Sequence, residues 1–341
     1  MTHKAAVLGA SGYAGGQLVR LLDGHPSIDV VYLGAHSWAG QSLGSAHPQL
    51  GGGDRIMGPI DVNMMPEADM AFLALPHGES WKIGSALVER GVKVVDLGSD
   101  FRLDSDDRYV EAYGQHHPLA DDLSSWVYGL PELFGPSISA AGRVAAPGCY
   151  PTSALLALAP LVHEGIVEID GIVVDAISGV SGAGRKVSAD LTFGAVAEGV
   201  RAYGVFNHRH RPEIEAGLEA FVGAPASIVF TPHLAPMQAG LLSTCYGDLA
   251  GAAGDVEAVL KDFYVDARFV DVIGQPPQTR WVVGSNRALL SAHADERTGK
   301  VIVLSAIDNL GKGAAGQAVQ CANLMLGEPE DAGLTSAGWL P

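Results

Sequence analysis

The stretch VAAPGCYPTSALLALAPL, residues 144–161, sets a cysteine where a cysteine can do chemistry. Cys149 follows Pro-Gly, precedes Tyr-Pro-Thr, and stands just before a run of good helix formers. Pro is tolerated at a first helical position, because its missing N–H is an orphan there and its φ is already helical. The spacing therefore predicts a helix with Pro151 at that position and Cys149 at or just before the N-terminus. Unpaired backbone N–H groups and the positive end of the helix dipole favour thiolate over thiol, which makes a nucleophile near neutral pH. The competing reading is an inert buried residue, since Cys is among the residue types most often found inside. That reading holds for Cys245 in LLSTCYGDL and for Cys321 in a helical run. At Cys149 the flanking Pro-Gly and Pro specify a turn rather than a strand, and favour the nucleophile.

A thiolate needs a proton partner. The segment FNHRHRPEIE concentrates His208, Arg209, His210 and Arg211 in a chain of formal charge −17. Alternate residues of an extended segment point the same way, so His208 and His210 are expected to face one pocket, with a helix starting at Pro212-Glu213. Four basic groups in a row in an acidic protein suggest an anion site, against the plainer alternative of a solvated loop. Arg102 in SDFRL and Arg185-Lys186 in SGVSGAGRK are further anion candidates, and the backbone around Gly182 to Gly184 offers a nest of N–H groups for an oxyanion or phosphate.

The third element is a turn. KAAVLGASGYAGGQLVRLLDGHP reads as a strand over residues 4–8, then Gly9, Gly12 and Gly15 at G-x-x-G-x-x-G spacing, then a helix over 17–22 stopped by Gly24-His25-Pro26. Glycines let a pyrophosphate approach the backbone, and the helix N-terminus favours its charge. After the second strand (28–33) come Gly34-Ala35-His36-Ser37-Trp38 without a carboxylate. An NAD site usually places Asp or Glu there for the ribose 2′-OH, so NADP is favoured, its 2′-phosphate meeting no repulsion and finding hydrogen bonds from Ser37 and His36; with no Arg nearby, use of NAD stays open.

Strands alternating with helices up to residue 96 predict a parallel, doubly wound sheet of the Rossmann type. After Cys149 the strands IVVDAISG and SIVFTPHLAPMQAGLLSTCYGDL are longer and more alternating, which predicts an α+β domain with a mixed sheet. A helix is expected from Asp255, two strands joined by a turn at 296–300, and a closing helix over about 314–326. The division expected is 1–147 for the dinucleotide-binding domain, completed by a C-terminal helix within about 310–341, and 148–309 for the catalytic and dimerisation domain.

Composition narrows the partners. With 21 Lys+Arg against 38 Asp+Glu, neither nucleic acid nor an anionic membrane is expected to bind. Three widely spaced cysteines with no C-x-x-C pair predict no disulfide framework, no metal site and a reducing compartment. The N-terminal apolar run is too short for a signal peptide and no window approaches a membrane span, so the expected location is the cytoplasm.

A nicotinamide cofactor, a Cys nucleophile and anion-binding arginines select the chemistry of an acyl phosphate and its aldehyde. A thioester is electrophilic enough to accept hydride while its thiolate remains a good leaving group. A Cys-His hydrolase and a dinucleotide sensor with a structural cysteine are the rivals. The first has no use for the glycine turn, and the second predicts slow, pH-independent alkylation of Cys149.

Together GASGYAG, ALPHGES, DLGSDFRL, YGLPEL, APGCYPT, SGVSGAGRK, HRHRPEI, TPHLAPMQAGLLST and DNLGKGAAGQAVQ resemble the N-acetyl-γ-glutamyl-phosphate reductase family, relatives of aspartate-semialdehyde dehydrogenase, over essentially the whole chain. The resemblance implies NADPH-dependent reduction of N-acetyl-γ-glutamyl phosphate to N-acetyl-L-glutamate 5-semialdehyde and phosphate in arginine biosynthesis, by a homodimer or homotetramer. It implies Cys149 as nucleophile, His210 as acid/base with His208 beside it, and Glu213 orienting a histidine. Gly9, Ser11, Gly12, Tyr13, Ala14, Gly15, Ser37, Pro76, His77, Ser178, Gly179, Asn309 and Gly313 would contact the cofactor, and Arg102, Ser181, Gly182 and Arg185 the substrate. Two positions depart from the family: Trp38 stands where Arg often follows the serine, and Cys321 where Asn is common. Sibling enzymes acting on aspartyl phosphate or a one-methylene-longer aminoadipate derivative share the chemistry, and one methylene is worth only about 1–3 kcal/mol of discrimination.

Overall fold

The computed structural model describes residues 2–51, 53–251 and 254–339. They divide into two units, one of residues 2–106, 116–147 and 314–334, the other of 107–115, 148–313 and 335–339.

The first unit is built on a seven-stranded sheet. Its strands are β1 (His3–Leu8), β2 (Ile28–Ala35), β3 (Gly58–Pro59), β4 (Met70–Leu73), β5 (Lys93–Asp96), β6 (Val127–Tyr128) and β7 (Arg143–Ala145), in the order β3-β2-β1-β4-β5-β7-β6. Every pairing is parallel. Parallel sheets are covered on both faces, which is why KAAVL and MAFL read as unbroken apolar runs. Ala5, Val7, Phe72 and Val95 enter one core with residues of α1 (Tyr13–Leu22), α2 (Leu43–Ala46), α5 (Pro131–Ser139) and α10 (Gly316–Leu326). Their neighbours Ala6, Leu8, Ala71, Leu73 and Val94 enter a second core with Leu87 of α3 (Ser80–Glu89) and Trp126. The strand order reverses at β1, between β2 and β4, and ligands of such sheets bind beyond the C-terminal strand ends at that point.

The second unit holds a mixed seven-stranded sheet, as the alternating strands predicted. Its strands are β8 (Ile172–Gly179), β9 (Arg201–Ala202), β10 (Ile228–Ala235), β11 (Leu241–Asp248), β12 (Val270–Val272), β13 (Ala288–Asp295) and β14 (Lys300–Ile307), in the order β12-β13-β14-β11-β8-β10-β9. β8 pairs parallel to β10 and antiparallel to β11. The residues of α6 (Cys149–His163) from Tyr150 to Val162 are buried, as a helix apolar all round must be. Pro160 inside it has no N–H for the carbonyl of Leu156, and the hydroxyl of Tyr264 donates to that carbonyl at 2.7 Å instead. α8 (His210–Val222) lies against α6, with Gly217 so close to Leu155 that a Cβ there would sit 2.5 Å from its Cδ1. α9 (Val256–Phe263) completes the cover, capped by the Asp255 side chain, which accepts from the Ala258 N–H at 3.0 Å. Short helices α4 (Asp106–Tyr113) and α7 (Phe193–Val196) lie in the connections.

Two local expectations are corrected. α6 begins at Cys149 with Gly148 as N-cap, so Cys149 itself takes the first helical position and Pro151 the third. Pro fits there too, since the first turn has no intrahelical use for its N–H. The second concerns His208 to His210, which are not an extended segment. Arg209 is in the right-handed helical region and His210 opens α8, two residues before the predicted start.

Candidate active site

Cys149 is half-buried, whereas Cys245 and Cys321 are buried. The N-cap of α6 is Gly148, which has no side chain to cap the helix, and Cys149 stands at the first helical position, at the positive end of the helix dipole. Cys245 is an inert core thiol, its proton held well above the usual range by burial and by Asp175. Cys321 donates to the carbonyl of Gly129 at 3.3 Å.

Around Cys149 the second unit gathers three of its predicted partners. Glu213, almost fully buried, accepts the N–H of Gly148 through Oε1 at 2.8 Å. Its Oε2 lies 4.0 Å from Nε2 of His210, one helical turn back on α8. His208 uses its Nδ1 to accept the backbone N–H of His210 at 3.1 Å. An imidazole accepting at Nδ1 is neutral, and burial with the neighbouring Arg209 pushes the pKa of His208 down to about 4. His208 is therefore a cap for the helix that carries His210. Tyr150, which the sequence reading did not single out, joins these groups: its ring meets the edges of His208 and His210 at centroid distances of 5.8 Å each. Gly313 packs on the nucleophile, where an added Cβ would come within 2.7 Å of the Cβ of Cys149.

A second cluster lies at the end of β8. Asn309 accepts from the Gly240 N–H at 2.7 Å and donates to Ser181 at 2.9 Å, so its amide braces two loops. Gly182 stands beside Asn309 and Ser178, and Gly179 is pressed against the backbone of Met237 and Ala239. The Ser178 hydroxyl donates to the carbonyl of Gly179 at 3.2 Å, and the Tyr150 hydroxyl donates to the carbonyl of His233 at 3.2 Å. Arg185 is half-buried beyond the 3-10 turn Val180–Ala183.

The remaining predicted residues belong to the first unit. Gly9 has φ +94°, and a Cβ there would strike the carbonyl oxygen of Ala74 at 2.2 Å. A Cβ on Gly15 would meet the Gly9 oxygen at 2.1 Å, while one on Gly12 would meet nothing nearer than 3.4 Å. Gly9 and Gly15 thus close the turn onto the sheet, and Gly12, the uncapped N-cap of α1, leaves its outer side open. Ser11, Tyr13 and Ala14 line this turn without being buried, and His47 braces it by a bond to the Ala10 carbonyl at 3.0 Å. Ser37 lies in the exposed turn after β2, and Pro76 and His77 in the loop after β4. His77 Nδ1 is 3.1 Å from the buried Asp100 and 3.0 Å from Ser99. Burial opposes charge on Asp100, but hydrogen bonds from His77 and from the N–H groups of Gly78 and Trp81 outweigh it and hold its carboxyl below the usual range. Arg102 donates to the carbonyl of Leu97 at 2.8 Å. An open glycine turn on an uncapped helix at a switch point fits a dinucleotide pyrophosphate.

Two family profiles match most of the chain. Residues 4–141 match the profile described as semialdehyde dehydrogenase, NAD binding domain, and residues 149–309 that of the semialdehyde dehydrogenase dimerisation domain. A protein of Moorella thermoacetica named N-acetyl-gamma-glutamyl-phosphate reductase is 44% identical over 346 residues, covering 99% of either chain. The chain belongs to this reductase family. Among solved structures, aspartate semialdehyde dehydrogenase II of Vibrio cholerae, complexed with ASA, superposes with a TM-score of 0.74 at 18% identity, covering 96% of this chain and 98% of that one. The Candida albicans aspartate semialdehyde dehydrogenase with NADP gives 0.69 at 17% identity, covering 96% and 99%. At such identities these two establish the family's fold alone. The family's nucleotide domain thus occupies the parallel sheet, and its dimerisation domain the mixed sheet. Among the described residues no helix is long and apolar enough to cross a membrane.

Proposed function

We propose that the protein reduces N-acetyl-γ-glutamyl phosphate to N-acetyl-L-glutamate 5-semialdehyde and phosphate with NADPH, in the cytoplasm, as a step of arginine biosynthesis. The observation that carries this reading is the thiol at the first position of a buried helix whose N-cap N–H is held by Glu213, with His210 on the same carboxylate. The relatives' name supplies the substrate.

Cys149 attacks the acyl carbon, the C–O bond to phosphate breaks, and phosphate leaves with its electron pair. The acyl group stays on sulfur as a thioester. The turn from Gly9 to Gly15, with Ser37, Pro76 and His77, would hold the nicotinamide cofactor, which when bound would supply the hydride that reduces such a carbon. His210 protonates the oxygen of the resulting thiohemiacetal and takes that proton back as the aldehyde forms and the thiolate leaves. Glu213 orients the His210 ring and stabilises its charged form, as a carboxylate does behind a catalytic imidazole. Arg102, Arg185, Ser181 and Gly182 supply donors for phosphate and substrate, with Ser178, Gly179, Asn309 and Gly313 completing the cofactor contacts.

A homodimer or homotetramer is proposed from the match to a dimerisation domain and from the outer face of the mixed sheet. Ile177, Val229 and Tyr246 on that face are exposed although apolar or aromatic.

The test follows reduced nicotinamide with N-acetylglutamate semialdehyde, NADP and phosphate, and repeats it with aspartate semialdehyde. Phosphate-dependent turnover of the acetylated substrate is expected. Cys149→Ser should lose it entirely and His210→Asn about 10²–10⁴-fold. His208→Asn, which keeps an acceptor for the His210 N–H, should lose far less. Turnover of aspartate semialdehyde alone would overturn the substrate, and equal losses in the two histidine variants would overturn the division of roles.

A further inference from the structure

A side-chain pair crosses the mouth of the glycine turn. His36 is the first residue after β2, Glu79 is the N-cap of α3 in the loop after β4, and their Nε2 and Oε2 atoms are 2.5 Å apart. β1 lies between β2 and β4 in the sheet, so the pair bridges two strand spacings, about 10 Å, over the C-terminal end of the strand that feeds Gly9. Both side chains are well exposed, at 57% and 41%, and Glu79 makes no capping bond to its helix. An exposed ion pair contributes little to stability, so the fold gives no strong reason for it.

The surroundings indicate what the pair acts on. From Leu21 to Asp54 the sequence has no Lys or Arg, and its basic groups are His25, His36 and His47. His25 is buried on Asn323 at 2.9 Å and His47 is buried on the Ala10 carbonyl. Arg55, the first arginine beyond, is held bidentate by Asp23. His36 is thus the exposed basic group of this stretch, next to Ser37, on the side of β1 where the adenosine ribose of a dinucleotide lies.

We propose that His36 and Glu79 determine cofactor choice: His36 is the donor to the 2′-phosphate of NADP, and Glu79 is a built-in competitor for that donor. In the free protein the carboxylate holds the imidazole over the turn. When a 2′-phosphate is present, His36 passes to it, and the Glu79 charge left nearby repels the phosphate. NAD brings a 2′-hydroxyl instead, which meets no repulsion from Glu79. The protein therefore discriminates less between the two cofactors than an arginine in place of Trp38 would make it. This rests on the nicotinamide reading above and specifies the part of it that fixes NADP.

The test is calorimetric binding of NADP⁺ and NAD⁺, without substrate, to the wild type, His36→Gln and Glu79→Gln, with thermal melts as a check that each variant folds. His36→Gln should weaken NADP⁺ about tenfold, the worth of one charge-assisted hydrogen bond, and change NAD⁺ less than about twofold. Glu79→Gln keeps a polar tether but removes the charge, so NADP⁺ should tighten several-fold relative to NAD⁺. Equal changes for both cofactors in His36→Gln, or none, would overturn the inference while leaving the cofactor reading intact. An unchanged or weaker affinity for NADP⁺ in Glu79→Gln would overturn the competitor role. A wild type that binds neither dinucleotide would overturn both the cofactor reading and this one.

Discussion

Glu213 reaches across 65 positions of sequence to take the N–H of Gly148, the residue that caps the helix beginning at Cys149. The same carboxylate faces His210, so one buried side chain sets the start of the nucleophile's helix and the orientation of its base. Glu213→Gln retains an oxygen acceptor for Gly148 but not the charge facing the imidazole. Its melting temperature should stay near that of the wild type while kcat falls about 10- to 100-fold. Glu213→Ala leaves a buried N–H unpaired and should also cost about 2 kcal/mol of stability. Equal stability of the alanine variant and the wild type would show the contact to be idle.

The three glycines of the N-terminal turn should separate into two kinds. Ala at Gly9 or Gly15 drives a Cβ to 2.2 or 2.1 Å from a backbone oxygen, and at Gly9 with φ +94° as well. Either variant should lose about 3 kcal/mol or more of stability, read from thermal or urea unfolding. Gly12→Ala meets nothing nearer than 3.4 Å and should fold normally. Its dinucleotide affinity should nevertheless fall about tenfold or more, since the open side of that residue is where the pyrophosphate must approach. A Gly12→Ala protein with unimpaired cofactor binding would contradict the place given to the cofactor.

Asp96, at the end of β5, is fully buried and has no hydrogen-bond partner for Oδ2. Burial, with the charge of Asp100, pushes its pKa up to about 7, against the opposing pull of the Ser80 hydroxyl, the Gly98 N–H and Arg102. The folded state holds this proton more tightly than the unfolded chain, whose carboxyl titrates near 3.8. The stabilising contribution is complete below that value and is lost as pH rises towards about 7. Asp96→Asn keeps the acceptor for Ser80 and Gly98 and removes the titration. The variant's melting temperature relative to the wild type should climb between pH 4 and pH 7 and level off above. A difference that does not change with pH would show that Asp96 is ionised throughout.

Much of the architecture was legible because its causes are local. Unbroken apolar strands such as MAFL required a sheet covered on both faces, and alternation in IVVDAISG required a sheet with unlike faces. Glycines at positions 9, 12 and 15 between a strand and a helix left few alternatives to a tight turn. Pro-Gly before Cys149 and helix formers after it placed that thiol at a helix start, and the structure moved the start by only two residues. The local signal was weaker at His208, where the alternation of a supposed strand was in fact a capped helix start, because a histidine nitrogen took the backbone N–H of His210.

What only the tertiary structure decided is how distant residues use one another. That His208 is a neutral cap and His210 the group beside Glu213, that Gly313 must lack a Cβ because Cys149 lies against it, and that His36 is tethered to Glu79 are outcomes of topology. A sequence records which side chains could donate, accept or titrate. Which of them meet depends on strand order and helix packing, so the sequence determined the chemistry available and the fold decided which residue carries each part of it.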